Sequence, residues 1–202
     1  MRNVYIGVLV LRGGFGVDLV KLLYPFVFPI NMLNLILKSL YFFLPAYIAN
    51  MAPVLVQKLK IIKILEKPIW EQKLGSHKTW RGLIIAPIVG MFVFWLQKMF
   101  VVESLSLIDY ADFSIWFGFL LGLGAILGDA VKSYYKRNAG IKEGKSWIPF
   151  DQTDFVFGGI IGGFVLYVPP AEVVLILLLV SPLLHVAANI IGYWLKINEK
   201  MF

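Results

Sequence analysis

Three aspartates, a serine and two adjacent cations share one short stretch of the chain, residues 128–154. Four of these side chains recur at i, i+4, i+7 and i+8, namely Asp129, Ser133, Lys136 and Arg137. A continuous helix would present all four on one face. Carboxylate oxygens suit Mg²⁺, and lysine and arginine neutralise phosphate oxygens. The spacing predicts a site for a divalent metal and a polyphosphate; the alternative is a salt-bridged helix end.

A second pair of acids, Asp151 and Asp154, follows at a spacing of three residues. At that spacing both carboxylates can face one way on a helix. A helix N-terminus favours one aspartate, but this preference does not easily explain two of them near Asp129. Three carboxylates with a Lys/Arg pair resemble the metal-assisted arrangement used for phosphoryl or nucleotidyl transfer. We therefore predict that the three aspartates bind metal and that Lys136 and Arg137 bind phosphate.

Another polar group lies earlier in the chain, at the start of an apolar segment, in the sequence "GSHKTWRGL" at residues 75–83. Its candidate substrate-binding residues are His77, Lys78, Thr79 and Arg81. Three phosphate donors and a hydroxyl at a helix N-terminus form a plausible anion site. The alternative is a basic flank that holds the cytoplasmic end of a span, with Trp80 as an interfacial anchor.

Isolated polar residues also interrupt apolar stretches. Asn50 lies within the first long one, where it could contact substrate or form a hydrogen bond between helices. His185 and Asn189 stand four residues apart near the C-terminus. We expect these two to join helices and leave them outside the predicted site.

The elements that position these residues are membrane helices, because 59% of the chain is apolar, against about 45–50% in soluble proteins. We predict an all-α integral membrane protein whose residues 1–202 form a single catalytic domain with about five spans. The predicted spans are residues 32–56, 82–96, 113–127, 155–168 and 173–195. The absence of cysteine excludes disulfides and thiolate chemistry. The net charge of +7 is assigned to cytoplasmic loops and phosphate partners, and no nucleic acid is expected.

Orientation follows from the basic residues. The connections after the first and third spans are rich in lysine and arginine, whereas Lys98 is the only basic residue in the connections after the second and fourth. The two basic loops, and with them the candidate site, are therefore expected on the cytoplasmic face of the cell membrane. Residues 1–30 are broken by glycines and prolines and carry charges. We interpret them as an interfacial or re-entrant segment, with a sixth half-span as the alternative.

The motif "SYYKRNAGIKEG" at residues 133–144 resembles the signature of the phosphatidate cytidylyltransferase (CDP-diglyceride synthetase) family. The matching residues are Ser133, Lys136, Arg137, Lys142 and Glu143, with Asp129 in the place of the preceding acid. In "IPFDQTDFVFGG", Asp151 and Asp154 match the paired acids of the family, while Gln152 replaces an arginine and a His-Gly-Gly stretch is missing. Together with "LPAYIANMAP" and "HKTWRG", the pattern is similar to the archaeal branch, the CDP-archaeol synthases.

This resemblance implies transfer of CMP from CTP to an isoprenoid ether glycerol phosphate, 2,3-bis-O-geranylgeranylglycerol 1-phosphate, with release of pyrophosphate and Mg²⁺ as cofactor. It adds Ser133, Lys142 and Gln152 to the expected substrate-binding residues. The isoprenoid chains are expected between the glycine-rich third and fourth spans, unless those glycines serve close helix packing. Two alternatives remain at this stage. A polyprenol kinase would use a similar site, and a transporter would need polar residues through the depth of the bilayer.

Overall fold

A computed structural model describes residues 19–59 and 63–194, with side chains from residue 31 onward. Within these ranges the structure is helical, with one isolated bridge between Pro68 and Thr79 and no strand. The helices are α1 Leu19–Phe42, α2 Leu44–Lys58, α3 Glu71–Leu74, α4 Trp80–Met99, α5 Trp116–Asn138, α6 Phe150–Gly163 and α7 Ala171–Trp194. The chain divides into residues 1–34 and 35–202, and the candidate site lies in the second unit. The predicted all-α fold is confirmed.

In the described part of the chain, three helices are long and apolar enough to cross a membrane: α4, α5 and α7. Residues Asn31–Phe42 and α2 make a fourth if they count as one span, although they meet at 49°. Large apolar side chains face outward, as expected in lipid; Leu179 and Leu183 on α7 are each 70% exposed. The chain is a multi-pass membrane protein.

Two predicted spans differ from the helices that the structure contains. The segment at residues 32–56 is bent at Phe43, and Pro45 lies in the first turn of α2, where its missing N–H costs no helical hydrogen bond. The segment at residues 155–168 corresponds to α6, which has 14 residues. That length is below the roughly 20 residues that cross a bilayer upright. Residues 1–18 of the predicted interfacial segment lie outside the described residues.

An aromatic core holds one end of α4 and α5 together. Phe94 and Phe117 are fully buried, with ring centroids 5.3 Å apart in an edge-to-face arrangement. Tyr110, from the turn that connects the two helices, packs on Phe94 at 5.5 Å. Arg81 of α4 and Asp129, Lys132, Lys136 and Arg137 of α5 lie toward the opposite ends of the two helices, so this core and the candidate site occupy different ends of the bundle.

Glycines bring α5 and α6 into backbone contact. A Cβ atom added to Gly158 would lie 2.2 Å from the carbonyl oxygen of Gly124, and one added to Gly128 would lie 2.3 Å from that of Asp154. No side chain fits between the helices at these points, so the glycines serve close packing, one of the two expected roles. The contact sets Asp129 of α5 directly beside the first turns of α6.

The end of α5 is fixed by Gly140, whose φ of +74° favours glycine. Its N–H donates to the carbonyl of Arg137 at 3.0 Å, and the N–H of Ile141 donates to that of Lys136 at 3.1 Å. These two bonds form the Schellman arrangement that ends a helix. Helix α5 is therefore continuous through residues 129–137, as the spacing predicted.

Candidate active site

A cluster of buried charges lies where α5 crosses α6, with the ammonium of Lys132 at its centre. Its Nζ lies 3.2 Å from Asp129 Oδ1, 2.9 Å from Asp151 Oδ1 and 3.0 Å from Asp154 Oδ2. The side chains of Lys132 and Asp154 are only 15% and 6% exposed. The structure thus brings the three predicted aspartates together around one cation.

Two further lysines complete this cluster, which we call the charge cluster (Asp129, Asp151, Asp154, Lys78, Lys132 and Lys136). Lys136 Nζ donates to both carboxylate oxygens of Asp151, at 3.0 and 2.8 Å. Lys78 Nζ, from the loop before α4, donates to Asp129 Oδ2. Three carboxyl groups face three ammonium groups, so the formal charges of the cluster balance. Such pairing offsets the cost of holding charges at a buried position.

The start of α6 holds its two aspartates by backbone contacts as well. The N–H of Phe155 donates to Asp154 Oδ1 at 2.6 Å, and the N–H of Trp147 donates to Asp151. Burial alone would raise the pKa of Asp151, but hydrogen bonds from Lys136, Lys132 and the Trp147 N–H outweigh burial and hold that pKa below its usual range. Asp151 is therefore an anion at neutral pH.

The loop before α4 is joined to the loop after α5 by Glu143. Its Oε1 accepts hydrogen bonds from Ser76 Oγ at 3.0 Å and from the His77 N–H at 3.4 Å. The imidazole of His77 lies 3.7 Å from the same oxygen. Burial opposes the effect of these contacts, but they lower the pKa of Glu143. This junction places Lys78 beside Asp129 of the charge cluster. The polar groups predicted at residues 75–83 and 128–154 therefore form one site.

A polar cavity of about 650 Å³ opens on one side of the charge cluster. It is lined by the charge cluster without Lys78, and also by Asn50, Gln152, His185 and Asn189. A smaller recess of about 230 Å³ adjoins it at Asn50 and Asp129 and is bordered by His77, Lys78, Thr79 and Arg81. These volumes and polar groups are typical of a small-molecule site.

An apolar groove of about 590 Å³ lies on the other side of the charge cluster, along α5 and α6. Its walls include Leu120, Leu127, Val131, Phe157, Ile161 and Val165. Lys132 and Asp154 line both this groove and the polar cavity. A polar site and an apolar channel therefore meet at these two side chains.

A family model described as CDP-archaeol synthase (CarS-like) matches residues 32–202. The chain belongs to the CDP-archaeol synthase family. Curated members are similar to it over most of their length: the CDP-archaeol synthase of Methanococcus maripaludis is 31% identical over 84% of this chain and 98% of its own. That of Methanocaldococcus jannaschii is 32% identical over 82% and 97%, and that of Methanopyrus kandleri is 34% identical over 80% and 91%. No solved structure matches the chain.

Membership of the CDP-archaeol synthase family confirms the resemblance seen in the motifs. It makes the chain a CTP-dependent lipid cytidylyltransferase of archaeal lipid synthesis. The match covers α2 to α7, and thus every helix that contributes to the charge cluster.

Two residues expected to bind substrate at the start of α4 have partners of their own. Thr79 caps α4, its Oγ1 accepting the N–H of Gly82 at 3.3 Å. Arg81 is only 2% exposed, and its Nη2 lies 3.3 Å from Glu66 Oε1. Both border the small recess but stand outside the charge cluster. Their predicted contacts with substrate would be made in that recess.

Three residues of the family motif lie outside the charge cluster. The guanidinium of Arg137 donates to the carbonyl of Ile141 and thereby closes the loop after α5. Ser133 is buried within the helix bundle, at 5% exposure. Lys142 lies exposed on the loop. None of the three lines the polar cavity, the small recess or the groove.

The sequence interpretation missed three residues of the site. Lys132 stands three residues after Asp129 and four before Lys136, so helical spacing could have found it. The motif directed attention to the Lys136–Arg137 pair instead. His185 and Asn189, expected only between helices, line the polar cavity, although the His185 ring also packs near Phe155 at 5.7 Å.

Mg²⁺ was predicted at the three aspartates, and their carboxylates have the oxygen chemistry that this ion prefers. In the structure they surround an ammonium. Their oxygens lie 2.9–3.2 Å from Lys132 Nζ, whereas Mg²⁺ needs about 2.0–2.1 Å. In residues 31–59 and 63–194, no three acidic or histidine side chains are placed to share a metal ion. The carboxylate oxygens are suitable ligands for Mg²⁺, but in this arrangement the Lys132 ammonium occupies the position between them that the ion would take.

Proposed function

We propose that the chain transfers CMP from CTP to the phosphate of 2,3-bis-O-geranylgeranylglycerol 1-phosphate, forming CDP-archaeol and pyrophosphate. The observation that supports this proposal is the shared wall at Lys132 and Asp154, where the polar cavity meets the apolar groove. A reaction between a water-soluble nucleotide and a lipid needs its phosphates at such a meeting point.

In this proposal CTP occupies the polar cavity, with its phosphates against the lysines of the charge cluster. The isoprenoid chains lie in the groove along α5 and α6, outside the glycine contact, and the lipid phosphate reaches the cluster near Lys132. Lysine ammonium groups pair with phosphate oxygens by charge-assisted hydrogen bonds. Asn50, Gln152 and the small recess remain for the ribose and base of CTP.

The proposed reaction is an in-line displacement at phosphorus. An oxygen of the lipid phosphate attacks the α-phosphorus of CTP, a new P–O bond forms, and the bond to the β-phosphate oxygen breaks. Pyrophosphate leaves with that electron pair. The attacking phosphate is already anionic, so no side chain needs to remove a proton. Lys78, Lys132 and Lys136 contribute by stabilising the negative charge gathered at this point.

CTP is proposed to enter as its magnesium complex, with Asp129, Asp151 and Asp154 as the residues that would hold the ion. When bound, Mg²⁺ neutralises charge on the reacting and leaving phosphates. The three carboxylates are the appropriate donors, and Lys132 would have to leave its position between them.

The site is proposed to face the cytoplasm from the cell membrane. The lysines of the charge cluster and the basic loops around residues 63–79 and 139–149 gather at one end of the helices. Positive residues concentrate on cytoplasmic loops, and that compartment supplies CTP. All site residues lie within residues 35–202, which supports the proposal of one catalytic domain.

A transfer assay with purified full-length protein tests the function. CTP labelled in the cytosine ring is incubated with the isoprenoid ether phosphate or with a diacylglycerol phosphate, and ATP, GTP and UTP serve as competitors. We expect ring label in the ether lipid and equimolar pyrophosphate. Label only in the diacyl product would contradict the proposed lipid. In a parallel incubation with CTP labelled at the γ-phosphate, transfer of that label to the lipid would indicate a kinase instead.

A further inference from the structure

Lys132 has an unusual position for a lysine. Its ammonium is within 3.2 Å of three different carboxylates, and its side chain is only 15% exposed. The other two lysines of the charge cluster each pair with one aspartate, Lys78 with Asp129 and Lys136 with Asp151. Among the three lysines of the charge cluster, Lys132 is therefore the one whose ammonium lies where the three carboxylates converge.

Charge balance limits what else can bind there. Counted by formal charge, the cluster with Lys132 in place holds three negative and three positive groups, so a divalent ion would meet no net attraction and a nearby ammonium. Without Lys132, one negative charge of the cluster is left over at the centre of three carboxylate oxygens. Unlike charges a few ångströms apart in a partly buried site attract each other more strongly than they do in water. Whether Lys132 is present thus decides whether a metal binds.

We propose that Lys132 is an internal counter-ion that takes the place of a resident divalent metal in the nucleotide-free protein. Asp129, Asp151 and Asp154 hold the lysine ammonium until a nucleotide arrives, and a divalent ion occupies them only when phosphate draws Lys132 away. The part that concerns the nucleotide rests on the proposed function. The part that concerns the free protein does not.

The position of Lys132 supports such an exchange. Its side chain lines both the polar cavity and the apolar groove, so phosphate entering from either side can reach it. The lysine side chain has four rotatable bonds, which allow its ammonium to change partners without movement of α5. A phosphate oxygen replaces the carboxylates as its partner, and the carboxylates exchange one ammonium for a divalent ion.

Binding of Mn²⁺, followed by the electron paramagnetic resonance signal of the free ion, tests the proposal without any reaction. The full-length protein is titrated in detergent with no nucleotide present. We expect weak binding to the wild type and at least about 10-fold tighter binding to Lys132→Gln. The matched control is Lys98→Gln. Lys98 binds backbone carbonyls of Ala111 and Phe113 at the other end of α4, so its variant should match the wild type.

Two results would overturn the proposal. One is tight Mn²⁺ binding by the wild type without nucleotide, and the other is no gain in Lys132→Gln. If that variant folds only with a divalent ion present, the dependence supports the exchange; failure to fold under both conditions overturns it. Lys132→Arg keeps the charge and should bind Mn²⁺ as weakly as the wild type. Because these titrations contain no substrate, a failed CTP assay would count against the proposed function alone.

Discussion

Lys132 of α5 and Asp154 of α6 form an ion pair of 3.0 Å in the wall between the polar cavity and the apolar groove. Their helices touch through backbone at Gly124 and Gly158, one to two turns away. The helix contact and the ion pair therefore depend on each other, because a wider crossing would separate the two charges. Variants that change only the helix contact or only the ion pair therefore distinguish effects on stability from effects on the reaction.

Asp154→Asn removes a carboxylate from the charge cluster but preserves its shape. We expect CMP transfer to fall by about 100-fold or more, because the reaction loses a charged group at its centre. Unfolding free energy should also fall, by about 1–3 kcal/mol, since Lys132 loses a buried partner. The double variant Asp154→Asn with Lys132→Gln restores the charge balance. Thermal unfolding should recover in it while transfer stays low; recovery of transfer would remove Asp154 from the reaction.

Gly158→Ala tests the helix contact. The new Cβ would meet the backbone oxygen of Gly124 at 2.2 Å, so the helices must separate. We expect a loss of about 1–3 kcal/mol in stability and a clear loss of transfer. Gly163→Ala is the matched control on the same helix, because its Cβ meets the flexible side chain of Leu121 at 3.0 Å. Equal melting temperatures for the two variants would contradict this account.

The sequence predicted the parts of the fold that depend on short-range patterns. The spacing of residues 129–137 indicated a continuous helix, and α5 runs through it to the Schellman turn at Gly140. The break at Phe43 was not predicted, because hydropathy averages over a segment and does not report a change in backbone direction. The span predicted at residues 155–168 runs past the end of α6 for the same reason, because apolar residues continue beyond Gly163.

Within the candidate site, the sequence predicted that the three aspartates lie together, but it did not show which neighbouring cations face them. At 3.6 residues per turn, Arg137 lies about 100° around α5 from Lys136. Only Lys132 and Lys136 face the aspartates of α6, and Arg137 instead reaches the carbonyl of Ile141. Which of several adjacent cations faces a neighbouring helix depends on the rotation of one helix against the other. Spacing within a single helix does not contain that information.

Gln152 offers a test of nucleotide selection. Its Oε1 is buried and, within the described residues, has no hydrogen-bond partner, while its side chain lines the polar cavity. A donor on CTP, such as the exocyclic amine of cytosine, would satisfy this oxygen. We expect Gln152→Leu to fold at least as stably as the wild type, since it removes an unpaired polar atom. Its KM for CTP should rise by about 10-fold, with weaker preference over UTP.

Gln97→Leu is the matched control for this substitution. Gln97 also has a buried Oε1 without a partner in the described structure, but its amide donates to the carbonyl of Tyr41 at 2.6 Å, far from the polar cavity. The control should lose stability and leave the KM for CTP unchanged. An unchanged KM in Gln152→Leu, measured beside it, would exclude Gln152 from nucleotide binding.

Ile161→Trp tests the apolar groove as the site of the lipid chains. Ile161 lies on the groove wall and is 65% exposed, so a larger side chain fits without disturbing the helix contacts but fills part of the groove. We expect the KM for the isoprenoid phosphate to rise several-fold, with the KM for CTP unchanged, because only one substrate loses apolar contact area.

Leu179→Trp on α7 is the matched control for Ile161→Trp, since Leu179 is 70% exposed and lies outside the groove. Acceptors with progressively shorter chains sharpen the comparison: if the chains occupy the groove, the difference between the two variants should shrink as the chain shortens. Equal lipid KM values for Ile161→Trp and Leu179→Trp at full chain length would place the isoprenoid chains elsewhere on the protein.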